Sequence, residues 1–135
     1  MVPRVLVAMD DSAPAERVLR YALETHPGAA VTVLHVVGEP SAMMGRTAAL
    51  ALGDGPESAA EPVLERARRV AEEYDATVDT AVAWGQPARE ITERAVGFDT
   101  VVVGSHAGSL RERLFVGDVA GRVVRRSSVT VTVVR

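Results

Sequence analysis

Two stretches of this chain combine chemistry-bearing side chains with turns that would present them. The first is Asp10-Asp11-Ser12, which follows directly on an apolar run. A carboxylate at the end of a buried strand accepts hydrogen bonds from sugar hydroxyls or from an exocyclic amine. The same residues also suit a plainer task, because acids in the first turn of a helix are favoured by its macrodipole and Ser12 suits an N-cap. The residues alone leave both readings open. The second stretch is Gly104-Ser105-His106-Ala107-Gly108-Ser109, with Gly117-Asp118-Val119 beyond it. Glycines placed after a strand let backbone N–H groups turn toward an anion, and the next helix N-terminus adds its positive end. Phosphate is cradled this way without a lysine, and the chain has none.

Other reactive groups are sparse. His106 sits among glycines, where it serves either proton transfer or backbone hydrogen bonding. His26 and His35 are more remote, and His35 falls in a strand expected to be buried. Ser105 and His106 are adjacent on one turn, so with Asp10 they do not form a triad. No His/Asp cluster has metal-ligand spacing. The absence of Cys excludes disulfides, thiolate metal sites and cysteine nucleophiles. The absence of Lys excludes Schiff-base chemistry at a side chain. No catalytic residue is assigned, so an enzymatic role is at most a slow ATPase.

The elements that must position these residues follow from periodicity. Five apolar, β-branched runs cover 5–9, 31–37, 77–83, 100–103 and 129–134. The first, second and fourth are almost continuously apolar, as strands covered on both faces are. Helical stripes lie between them at 13–25, 61–75, 87–96 and 118–126. Strand and helix alternate throughout, which predicts an α/β fold: a five-stranded, parallel, doubly wound sheet with four helices on both faces. Such sheets bind ligands beyond the carboxyl ends of their strands, where the strand order switches. Residues 38–58 fit neither period and carry Gly38, Pro40, Gly45, Gly53, Gly55 and Pro56. They are expected to be a flexible connector, with a short helix or flap over the cleft as the alternative.

With 135 residues the chain suits one domain, 1–135, and 47 % hydrophobic content is globular rather than disordered. Tyr21, Tyr74, Trp84, Phe98 and Phe115 are its only aromatics, so Val, Leu, Ile and Ala must build the core. A net charge of −3 argues against a general nucleic-acid binder. No apolar run approaches the ~20 residues of a membrane span, and no signal peptide is evident, so a cytoplasmic protein without a membrane partner is expected.

The spacing from Gly104 to Gly117 resembles that of the ATP-binding subgroup of universal stress proteins, whose pattern is Gly-x2-Gly-x9-Gly-Ser/Thr. The likeness extends to Val5-Leu6-Val7-Ala8-Met9-Asp10-Asp11-Ser12, to Val33-Leu34-His35-Val36-Val37, to Gly85-Gln86-Pro87-Ala88 with Ile91, and to the C-terminal 123–134. It spans nearly the whole chain outside 38–58. The resemblance implies a Rossmann-like fold of the adenine nucleotide alpha hydrolase type. It also implies a homodimeric stress-response module that holds ATP, ADP or AMP; a Mg²⁺ bridge between Asp118 and a polyphosphate is left open but is not indicated.

Carried over by position, Asp10 would meet the adenosine, flanked by Ala8 and Met9, and Val36 would line the adenine slot. Val103, Gly104 and His106 would floor the ribose–phosphate path, with Ala107 and Gly108 in its glycine turn. Gly117, Asp118, Val119 and Ala120 would form its far end. The last strand, 129–134, would pair across a two-fold axis, and an exposed edge of alternating Thr and Val invites that pairing. This chain departs from the pattern at Ala107, which replaces the second glycine, and at Asp118, which replaces the Ser/Thr. An ionised Asp118 accepts hydrogen bonds and repels phosphate, or it caps its helix. The alternative function is therefore the same fold and dimer acting through protein–protein contacts without ATP.

Overall fold

The computed structural model describes residues 2–38, 56–105 and 118–135. Strand and helix alternate through β1 (Arg4–Ala8), α1 (Ala15–Thr25), β2 (Ala30–Gly38), α2 (Pro56–Glu73), β3 (Asp79–Gly85), α3 (Pro87–Ala95), β4 (Thr100–Gly104), α4 (Asp118–Arg126) and β5 (Thr130–Val134). All strand pairs are parallel and the sheet order is β3-β2-β1-β4-β5. The doubly wound α/β fold expected from the alternation is the one observed.

Strand parity divides the core into two layers. Val5, Val7, Val31, Val33 and Val102 point to one face, where Val18, Leu19 and Ala22 of α1 and Val63, Ala67 and Val70 of α2 cover them. Leu6, Leu34, Val101 and Val103 point to the other, under Ala88, Ile91 and Ala95 of α3 and Ala120 and Val123 of α4. Successive strand residues face opposite sides, so runs with no polar residue are what a sheet clad on both faces requires. Each fully buried Val or Leu stabilises the fold by roughly 1.5–3 kcal/mol relative to exposure.

Several element bounds differ from the sequence reading, for local reasons. β1 begins at Arg4, outside the apolar run. There the Arg4 backbone N–H donates to Asp99 Oδ2 at 2.7 Å, and its guanidinium donates to the Gly97 carbonyl at 2.6 Å beneath the Phe98 ring. β3 is displaced two residues along from the expected 77–83, because its ladder with β2 runs from Thr32↔Asp79 to Gly38↔Gly85. The connector expected over 38–58 is shorter at both ends: Gly38 closes β2 and α2 starts at Pro56. Proline suits the first turn of a helix, where its missing N–H has no intrahelical acceptor to serve. Residues 39–55 lie outside those described.

Ser12 is not the N-cap of α1. That helix starts at Ala15 with Pro14 before it and no side-chain cap. The Ser12 backbone N–H instead donates to Asp10 Oδ1 at 2.9 Å, and its hydroxyl donates to the same oxygen.

Candidate functional site

The chain runs β1, β2, β3 outward in one direction, then returns to the other side of β1 to lay down β4 and β5. The crossovers leaving β1 and β4 therefore depart to opposite sides, which opens a crevice between their carboxyl ends. A cavity of about 250 Å³ lies there. Its floor is Ala8 at the end of β1, the following Met9, and Val103 and Gly104 from β4, with Asp10 at the rim. Leu34, His35 and Val36 of β2, Pro87 and Ile91 of α3 and Asp118, Val119 and Ala120 of α4 complete the lining.

The register explains the convergence. Ala8 pairs with Leu34 across the ladder, and the Met9 N–H donates to the Leu34 carbonyl at 2.9 Å. This one step carries the end of β1 beyond the sheet, leaving Met9 buried and Asp10 exposed. The α3 wall depends on Gly85, whose φ of +142° is accessible to glycine and whose missing Cβ would stand 3.0 Å from Glu90 Oε1. The next residue, Gln86, caps α3 by accepting the Arg89 N–H at 3.1 Å, which sets Pro87 at the mouth and Ile91 one turn deeper.

The walls are apolar except at the rim, the lining that suits a flat heteroaromatic base with a few polar anchors. Asp10 and Asp118 bring two carboxylates to the lining. Asp118 begins α4, and its mostly exposed carboxylate lies 3.5 Å from Arg122 one turn on. An exposed i,i+4 pair of this kind contributes only about 0.3–0.5 kcal/mol, so it leaves the negative charge at the cleft largely in place. No group of three or more His, Cys, Asp and Glu residues is arranged for a metal ion among the described residues.

Nine of the proposed positions, Ala8, Met9, Asp10, Val36, Val103, Gly104, Asp118, Val119 and Ala120, thus line one cavity. His106, Ala107, Gly108 and Gly117 lie outside the described residues. Four lining residues were not foreseen as such: Leu34, His35, Pro87 and Ile91. His35 is not remote from the cleft. Its Nδ1 lies 2.8 Å from the Met9 carbonyl oxygen, and because a carbonyl only accepts, Nδ1 carries the proton. Ser105 continues the β4–β5 ladder, its N–H donating to the Val134 carbonyl at 2.8 Å.

Among known proteins, the model of the universal stress protein family matches residues 1–135. No curated protein sequence matches the chain. Several solved structures do. A universal stress protein from Archaeoglobus fulgidus is 26 % identical, with a TM-score of 0.74 over 100 % of this chain and 99 % of that one. A universal stress protein in complex with cAMP is 22 % identical, with a TM-score of 0.68 over 98 % and 96 %. A universal stress protein family protein from Arabidopsis thaliana with AMP bound is 19 % identical, with a TM-score of 0.68 over 98 % and 90 %. No helix among the described residues is long and apolar enough to cross a membrane.

Proposed function

Because the chain belongs to the universal stress protein family, we propose that its cleft binds an adenine nucleotide and that the protein acts as a homodimeric, cytoplasmic, single-domain stress-response module. The observation that carries this reading is the apolar cavity at the switch point, rimmed by Asp10 and faced by the N-terminus of α4. The adenine would lie between Val36 and the Ile91 side of α3. Asp10 would accept hydrogen bonds from the ribose hydroxyls, while Gly104 and the start of α4 would face the phosphates. His106, Ala107, Gly108 and Gly117 are proposed to complete the phosphate path. The relatives bound to cAMP and AMP support the ligand class.

The size of the cavity and its charge favour a monophosphate over ATP. About 250 Å³ falls just below the roughly 300–1,000 Å³ usual for small-molecule sites. Asp118 sets a carboxylate where further phosphates would run, and like charges a few ångströms apart repel by about 1–4 kcal/mol at effective dielectrics between water and a protein surface. Mg²⁺ would arrive with a polyphosphate as a bridge to Asp118 rather than occupy a site of its own. Turnover is not part of this reading.

β5 is the proposed dimer edge. Val131 and Val133 are only half-buried, and among the described residues β5 is an edge of the sheet. Such an edge is a template for pairing. A chain that stays monomeric through micromolar concentrations in sedimentation equilibrium would overturn the dimer.

Thermal shift and calorimetry with AMP, ADP and ATP, each with and without Mg²⁺, test the ligand. A bound ligand raises stability with the logarithm of one plus its concentration over its Kd, so AMP should raise the Tm most. No shift with any of them at millimolar concentration leaves the second reading, a dimer acting through protein contacts alone.

A further inference from the structure

The turn that carries Asp10 to the cleft is held from below by one side chain of α2. Arg66 uses three separate donors. Its Nη2 donates to the Ser12 carbonyl at 3.0 Å, its Nη1 to Asp11 Oδ1 at 3.2 Å and its Nε to Glu16 Oε1 at 3.2 Å. Ser12 in turn fixes Asp10, donating to Oδ1 through both its backbone N–H and its hydroxyl. The chain of contacts is continuous from α2 through Ser12 to the carboxylate at the rim. Arg66 is not itself among the residues lining the cavity, and its side chain is 26 % exposed. A planar fork that satisfies three acceptors of fixed direction is a geometric clamp, which a flexible point charge does not reproduce.

We infer that Arg66 is a positioning residue for the cleft, fixing through Ser12 the direction in which Asp10 presents its carboxylate to ligand hydroxyls. This rests on the reading of the cleft as an adenine-nucleotide site. It goes beyond that reading in making discrimination of the sugar depend on a residue of the opposite helical layer. The two aspartates of the turn then have different tasks. Asp10 faces the ligand, while Asp11, four-fifths exposed, anchors the clamp.

The test compares AMP with its 2′,3′-dideoxy analogue, which lacks the hydroxyls Asp10 would hold, in wild type, Arg66→Met, Arg66→Lys and Asp11→Ala. Wild type should favour AMP by about tenfold, the worth of a charge-assisted hydrogen bond or two. Arg66→Met should lose most of that preference with its affinity for the dideoxy analogue unchanged. Arg66→Lys should recover part of it, and Asp11→Ala should lose a smaller part. A wild type that does not bind AMP sinks the nucleotide reading itself. Binding of both analogues by a wild type that prefers neither instead overturns the task given to Asp10, and this inference with it. An Arg66→Met protein that retains the preference, or that weakens both ligands equally, overturns the positioning role alone. Should Arg66→Met fail to fold, an unaltered preference in Asp11→Ala and Arg66→Lys overturns it as well.

Discussion

The two faces of the sheet are built from the same residue types and yet are closed differently. On the α1/α2 face the apolar layer is complete, and charged side chains stitch the two helices together above it. Arg20 of α1 meets Glu73 of α2 through two hydrogen bonds of 3.0 and 2.9 Å, Arg66 reaches back to Glu16, and the Tyr74 hydroxyl donates to Glu24 at 2.6 Å. On the α3/α4 face the ion pairs described run along each helix, Arg89 to Glu93 and Asp118 to Arg122, rather than between them. Val119 and Val124 of α4 remain exposed, and the layer ends in the cavity. One face is locked and the other is left open for a ligand. The turn bearing Asp10 joins them, anchored on the first and used by the second.

Four substitutions would break or sharpen this contrast. The largest effect is expected from Leu19→Ala, which empties a fully buried position on the locked face and should cost about 2–5 kcal/mol. Ile91→Ala on the open face should cost about 2 kcal/mol, the low end of that range, because its neighbours already border a void, and it should weaken nucleotide binding as well. Denaturant titration with and without AMP compares the pair. Equal losses of stability with no effect of Ile91 on affinity would dissolve the distinction.

Asp118→Ser comes next. Removing the carboxylate should tighten ATP by about 1 kcal/mol, roughly fivefold, for each close phosphate charge relieved, and should change AMP less. Calorimetry reads the ratio of the two affinities, and an unchanged ratio means that Asp118 does not select against polyphosphates.

Glu73→Gln should have the smallest effect and the clearest pH signature. The hydrogen bond from Arg20 holds the Glu73 carboxyl below its ordinary range, against a smaller opposing effect of burial. Its contribution is thus complete above the unfolded value of about 4.3 and is lost as pH falls through the lower folded value. The Tm deficit of the variant should shrink as the medium is acidified below about pH 4. A deficit that stays constant through that range would show that the ion pair is not what stitches α1 to α2.

Much of the fold was legible because burial on both faces leaves an unmistakable pattern. The run at 101–103 has no reason to be continuously apolar except a sheet clad on both sides, and α4 begins and ends at the expected Asp118 and Arg126. What was illegible depends on partners distant in sequence. β3 takes its position from β2, and Arg4 joins β1 through Asp99 and Gly97, 95 and 93 residues away. The unforeseen lining has the same origin. Leu34 reaches the cleft through its register with Ala8, which no local period announces. Ile91 was recognisable as an inward helix residue, but that its turn faces a cavity follows from where α3 docks. Pro87, at the start of a helix entered from a strand's carboxyl end, was the available clue. Ser12 misled because a serine before a helix serves equally well as a cap or as a donor to a neighbouring carboxylate.

The sole tryptophan, Trp84, stands partly exposed near the end of edge strand β3, two residues before the cap of α3. By strand parity Trp84 stands with Val82, on the α1/α2 side of β3, so all indole emission of the molecule arises at one point on the rim of the locked face. A change in that emission as denaturant is added reports on the loosening of that face at its β3 edge, with no label attached, while the open face stays dark.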